Sequence, residues 1–188
     1  MKVFWRDKPL TQVDIDLVNL VTEAHNKSTF RENPSTIAVQ CAAQGSGRLV
    51  NSVIAALSTL GTTHGPIEGS YQVIADDQIP AVIVVQGFLQ SNNKIPGWGS
   101  SFSKTELDPF WQPVNDHLRE NYQPIYQRIL EVTEALLNAG KPLLPNPSAF
   151  TAGAAIALHM PRRLSPYLMI TARLPAWAQV FLNETKGQ

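Results

Sequence analysis

Stretches of apolar residues at helical spacing, each closed by a proline or glycine, constrain this chain more than any other feature. In DIDLVNLVTEAHNKS, Ile15, Leu17, Val18, Val21 and His25 fall near one helix face, with Thr11 or Asp14 placed to cap the start. From Pro34 to Leu60 two apolar helices are expected on either side of Gly45-Ser46-Gly47, rich in the alanine and serine that let helices approach closely. Such helices suit the interior of a helical assembly. An amphipathic pattern from about Pro124 to Asn138 stops at Gly140 and Pro142, and PNPSAFTAGAAIALHM and PYLMITARLPAWAQVFLNE supply two more helical segments. The Val-Ile run of IADDQIPAVIVVQGFLQSNNK fits a strand, but its acidic start, Pro80 near a first turn and its apolar spacing favour a short helix. No strand pair, hairpin dipeptide or repeat stands out, and the 14 prolines act mainly as helix punctuation. The expected architecture is all-α.

Composition narrows the partners. A chain of 188 residues, 44% of them apolar, can bury a core without staples. Its 15 basic and 15 acidic residues cancel, so no broad field recruits nucleic acid or an anionic membrane. Cys41, the single cysteine, excludes an intrachain disulfide, and its apolar, small-residue surroundings predict a buried, inert thiol. The start, MKVFWRDKPLTQVD, holds no continuous apolar run, and no window approaches the roughly 18 apolar residues of a membrane span. A cytoplasmic protein is expected. Walker, dinucleotide-glycine, CxxC and HExxH patterns are missing, so no metal is expected.

The stretch NKIPGWGSSFSKTELDPF is the oddest in the chain. Pro96, Gly97, Trp98 and Gly99 make a rigid corner followed by serines, without one side chain that exchanges a proton near neutrality. It serves equally well as a ligand-facing corner or as an ordinary turn between helices. His64 in GTTHGPIEG, His25 near a helix end and Arg173 in TARLPAWAQ likewise admit plain structural roles as a carbonyl cap, a polar terminus and an interhelical cation.

Three stretches now matter together. EAHNKSTFRENPSTIAVQCAAQGSGRLVNSVIAALSTLGTTHGPIEG, then KIPGWGSSFSKTELDP, then PNPSAFTAGAAI with ITARLPAWAQ, occur in the order and spacing of one helical enzyme family. The chain resembles citrate synthase, within the wider citrate synthase and citryl-coenzyme A lyase-like superfamily. The resemblance covers about residues 13–184 and corresponds to the C-terminal half or so of a usual member. It implies a citrate synthase-like multi-helical fold, with a reduced large domain from residues 1–66 and 166–188, a small domain from 67–165, and a homodimer. The family's long N-terminal helical region, and the terminal segment whose arginine reaches a neighbouring subunit's site, find no counterpart.

Residue by residue, the resemblance places His64 on the histidine that hydrogen-bonds a thioester carbonyl as an enolate forms, where an imidazole stabilises oxyanion charge. His25 falls on a keto-acid contact, although the family's acidic neighbour is Asn26 here. Arg173 falls on a substrate-carboxylate arginine, a role suited to its planar fork, with Pro175 and Ala176 departing from the family pattern. Pro96, Gly97, Trp98 and Gly99 match the corner that lies against coenzyme A. Ser100, however, stands where a histidine polarises the keto-acid carbonyl, Ser148 where an aspartate takes a proton from the acyl methyl, and Phe110 where an arginine follows Asp-Pro. A hydroxyl neither carries imidazolium charge nor serves as a carboxylate base.

The expected function is therefore a citrate synthase-like protein with a degenerate active site, binding an acyl-coenzyme A thioester or a di- or tricarboxylate without normal turnover. One alternative is an active citryl- or acyl-coenzyme A lyase or synthase with a relocated base, for which Asp76, Asp77, Glu106, His117 and His159 occupy the same half of the chain, none at a position that matches the family's. Another is a non-catalytic helical module in which helices 36–60 and exposed tryptophan-rich segments pack on a second chain.

Overall fold

A computed structural model describes residues 9–31, 33–61, 64–100 and 105–186. Among these residues lie nine α-helices, one 3₁₀ turn and no strand, the nearest approach to one being an isolated bridge between Trp98 and Pro145. The all-α expectation holds, and none of these helices is long and apolar enough to cross a membrane.

Helix α1 runs from Gln12 to Thr29, and both expected capping residues act together in a capping box. The Thr11 hydroxyl oxygen accepts from the Asp14 N–H at 3.2 Å, and the Asp14 carboxylate accepts from the Thr11 N–H at 2.8 Å. Helix α2 (Pro34–Ser46) starts with Pro34 in its first turn behind an Asn33 side chain that accepts from Thr36 N–H, and it ends at Gly47 with φ of 58°. Helix α3 (Leu49–Ser58) packs on α2. Helix α4 (Ile67–Ala75) lacks a side-chain cap and was not anticipated, whereas α5 (Ala81–Gln90) is the helix expected after Pro80. Helices α6 (Gln112–Asn121) and α7 (Gln123–Asn138) follow, the second over the predicted span. After α8 (Pro147–Ala157) a 3₁₀ turn at Arg162–Leu164 leads into α9 (Pro166–Glu184).

Helix α8 forms the centre. It packs on α1, α4, α6, α7 and α9, and 9 of its 11 residues are buried. Such crowding requires small side chains: a Cβ at Gly153 would come within 3.3 Å of Ile129 and Leu118. Trp111, Phe150, Leu118, Ile129 and Leu158 complete this main core. A smaller core joins α2, α3 and α9 through Val39, Ala56, Trp177 and Val180.

Three expectations from sequence are corrected here. The helices spanning residues 36–60 are peripheral rather than interior, because only one side of them meets the rest of the chain and Ile37, Leu49, Val50 and Ile54 remain exposed. Cys41 lies on that outer side and is exposed, so the thiol is not buried. The tryptophan-rich segments are not exposed either: Trp98, Trp111 and Trp177 are all buried, their large apolar area being what fills the two cores.

Candidate functional site

A cavity of about 700 Å³ opens between the end of α1, the start of α2, residues 64–66, residues 93–100, the start of α8 and the middle of α9. Its wall includes the expected catalytic, substrate and coenzyme-side residues His25, His64, Pro96, Gly97, Trp98, Gly99, Ser100, Ser148 and Arg173, but not Phe110. None of Asp76, Asp77, Glu106, His117 or His159 belongs to it.

The Pro-Gly-Trp-Gly corner is held by backbone bonds to the segment before α8. Gly99 N–H donates to the Leu144 carbonyl at 2.8 Å, Asn146 N–H donates to the Gly97 carbonyl at 2.8 Å, and the Asn146 side-chain amide donates to the Gly99 carbonyl at 2.8 Å. The indole N–H of Trp98 donates to Thr133 Oγ1 at 2.9 Å, which fixes the ring against α7. Glycine is required at 97 on two counts. Its φ is 93°, and a Cβ there would stand 2.8 Å from Ser70 Oγ and 3.1 Å from the Ala149 Cβ.

Arg173 lies at the back of the cavity, 6% exposed. Its Nη1 donates to Ser35 Oγ at 3.1 Å, and its Nε donates to His25 Nδ1 at 3.4 Å. The tautomer of His25 follows from its other neighbour. The Thr151 hydroxyl donates to the Pro147 carbonyl at 2.7 Å, so at 2.8 Å from His25 it accepts from Nε2–H, which leaves Nδ1 as the acceptor for arginine. Burial, and secondarily the nearby Arg173 charge, hold His25 well below its ordinary pKa. The ring is thus neutral with both nitrogens occupied inside the protein, and in this geometry His25 positions Arg173. Trp111 meets the same ring edge-on with centroids 4.8 Å apart.

His64 differs. Burial first, and Arg173 second, lower its pKa to about 4, so it too is neutral near pH 7. Its Nε2 is buried with no hydrogen-bond partner among the described residues. Burial lowers the Arg173 pKa to about 10, which still leaves the guanidinium charged at neutral pH, and no described carboxylate pairs with it. An unpaired buried cation beside an unpartnered imidazole calls for an anionic, hydrogen-bonding occupant.

Ser148 occupies the first turn of α8, 8% exposed, its N–H capped by Asn146 Oδ1 at 2.9 Å. Ser100, directly after the corner, also lines the cavity. The sole carboxylate on the described wall is Asp108, which accepts two bonds from Arg31 at 2.5 and 3.1 Å and one from Phe110 N–H at 3.1 Å. No described cluster of three or more histidine, cysteine, aspartate or glutamate side chains is arranged to hold a metal ion.

Several residues of the site escaped the reading of the sequence: Asn33, Asn146, Arg31 and Asp108 on the wall, and Ser35 and Thr151, which bond Arg173 and His25. One signal was available for two of them. Both α2 and α8 begin with Asn-Pro, a capping asparagine followed by proline at the first helical position, and both asparagines stand on the cavity wall. The others act through partners far away in sequence.

No family model and no curated protein matches this chain. Solved structures do. The fold is similar to citryl-CoA lyase from Hydrogenobacter thermophilus, with a TM-score of 0.82, 22% identity, and coverage of 96% of this chain and 73% of that one. ATP citrate lyase from Methanothrix soehngenii, solved with citrate and coenzyme A, matches at a TM-score of 0.81 and 16% identity over 97% of this chain but 33% of its own. Citrate synthase from Thermotoga maritima MSB8 matches at 0.74 and 23% identity, over 92% and 49% respectively. The chain has the citrate synthase-like fold and spans about half or less of the length of the last two proteins.

Proposed function

We propose that this protein binds a carboxylate ligand or an acyl-coenzyme A thioester in the α1–α8–α9 cleft and does not carry out ordinary citrate synthase turnover. The observation that carries this reading is Arg173, a buried guanidinium on the cavity wall with no described carboxylate partner. A ligand carboxylate supplies the missing counter-charge. Neutral His64, its Nε2 unpartnered, is suited to donate to a thioester carbonyl. The Pro96–Gly99 corner is the coenzyme side of the cleft on this reading, and ATP citrate lyase, which shares the fold, was solved with citrate and coenzyme A.

Weak or absent turnover follows from Ser100 and Ser148. A positioned acid or base commonly supplies about 10²–10⁴-fold, and an oriented donor about 10²–10³-fold. Neither hydroxyl titrates near neutrality. Asp108, the wall carboxylate, has both oxygens engaged, which disfavours a relocated base there.

The division into a reduced large domain (1–66 and 166–188) and a small domain (67–165) places the cleft between the two and belongs to the same proposal, as does a cytoplasmic setting. So does a homodimer, supported by the exposed apolar residues Ile37, Leu49, Val50 and Ile54 along α2 and α3.

Thermal shift with acetyl-coenzyme A, citrate and oxaloacetate at millimolar concentration tests the reading. A ligand at 100 times its Kd adds about 2.7 kcal/mol to native stability, and the shift should vanish in Arg173→Gln. No movement with any of them removes the binding proposal. Thiol release from acyl-coenzyme A with keto acids, and cleavage of citryl-coenzyme A, should stay at background. Turnover that collapses in His64→Ala would establish the active lyase or synthase instead.

A further inference from the structure

Directly after α1, Arg31 sends its guanidinium onto the cavity wall, where it meets two residues from the segment before α6. Asp108 takes Nη1 at 2.5 Å and Nη2 at 3.1 Å, and the Phe110 ring lies under the guanidinium carbon at 4.3 Å. Position 110 itself is phenylalanine, and Arg31, 77 residues from Asp108 in sequence, reaches Asp108 through space and rests on that phenyl ring.

The geometry points to Arg31 as a second carboxylate-recognition group of the cleft, with Asp108 holding its fork until a ligand carboxylate competes for it. This rests on the proposed carboxylate-binding reading and gives it a substrate class: an anion with at least two carboxylates, one for Arg173 and one for Arg31.

Four arguments carry it. The charged side chains on the described wall, histidines aside, are Arg31, Lys94, Asp108 and Arg173, so even with Arg31 and Asp108 cancelling each other the cavity keeps an excess of positive charge. Arg31 is 27% exposed at its side chain, and a partly solvated ion pair has a small net worth, so exchanging one carboxylate for another is cheap. The ring of Phe110 holds the guanidinium plane independently of Asp108, so the fork stays in place during the exchange. Finally, the two-bond geometry shown by Asp108 is the one a ligand carboxylate adopts on an arginine fork. Arg173 uses Nε and Nη1 to bind His25 and Ser35, which fixes it for one carboxylate and leaves a second one to Arg31.

The test is calorimetric or NMR titration of the full chain with citrate and with isobutyrate, a branched monocarboxylate that can engage one arginine only. Arg31→Gln should weaken citrate by about tenfold, the usual consequence of losing one charge-assisted contact, and leave isobutyrate unchanged. Asp108→Asn, which preserves shape and removes the competing carboxylate, should strengthen citrate several-fold, a direction that a purely structural ion pair does not produce. Arg31→Lys keeps the charge and loses the fork, and should fall between wild type and Arg31→Gln. If Arg31→Gln does not fold, as judged by circular dichroism, Asp108→Asn decides alone. Equal loss of citrate and isobutyrate in Arg31→Gln, or weaker citrate binding in Asp108→Asn, overturns the inference while carboxylate binding through Arg173 stands. A wild-type protein that binds neither probe removes both.

Discussion

Helix α8 and the α2–α3 pair are built from the same small residues, and the chain uses them in opposite ways. Along α8, alanine, glycine and serine let five helices close in, and nearly every side chain is buried. Along α3, Ser52 and Ala56 are buried against neighbours while Leu49, Val50 and Ile54 face outward. Small residues thus specify how closely a neighbour can approach but not on how many sides one exists. The difference also has a functional side. The crowded helix presents its capped first turn, with Asn146 and Ser148, to the cavity, whereas the sparsely covered pair offers an apolar surface far better suited to another chain than to a small ligand.

The sharpest way to break this contrast is to truncate one large side chain on each helix. Phe150→Ala, in the middle of α8, should cost about 3–5 kcal/mol, whereas Ile54→Ala on α3, 58% exposed, should change stability by no more than about 0.5 kcal/mol. Urea denaturation measures both, and equal losses would erase the distinction.

Acidification should separate the regions next. Burial depresses the pKa of His25 and His64, both in the core-side cleft, with His64 at about 4 against an ordinary 6.5. The unfolded chain therefore binds protons first, and the stability these neutral rings confer is intact above about pH 6.5 and lost as pH falls toward about 4. Asn or Gln replacement of both histidines should flatten stability across that window. An unchanged profile would show that neither ring is held neutral.

Gly97→Ala should follow, at about 1–3 kcal/mol, because the alanine must adopt a left-handed backbone and press on Ser70 and on Ala149 of α8. Ligand-induced thermal shifts should fall with it if the corner forms the coenzyme side. The smallest effect on the chain itself belongs to Val50→Asp, 68% exposed on α3, within about 0.5 kcal/mol. Light scattering gives that variant its meaning: it should halve the mass of a homodimer, and an unaltered mass would move the interface elsewhere.

Much of the fold was legible because its signals are local. Thr11 and Asp14 announce α1, Gly140 and Pro142 close α7, and Pro80 marks α5. Helix α4 escaped because Ile67–Ala75 is short, contains Gly69 and carries no side-chain cap. The gathering of His25, His64, Ser100, Ser148 and Arg173 was legible only through motif order, since no local pattern brings them together. What the order could not convey were the contacts that tune them. Thr151 sets the tautomer of His25 across 126 positions, Ser35 anchors Arg173 across 138, and Asp108 grips Arg31 across 77. Each such pair is created by packing and has no periodicity to betray it. Cys41 was misjudged for the reason α2 was: its neighbours in sequence are apolar, but they border solvent.

Trp98 joins the wall of the cavity to a hydrogen bond with Thr133 on α7. Because it is the cavity's tryptophan among the described residues, its emission should act as a built-in optical gauge of occupancy, changing as a ligand alters the charge and polarity beside the indole while the N–H stays anchored. The molecule thus carries its own spectroscopic readout, and affinity can be followed without a label.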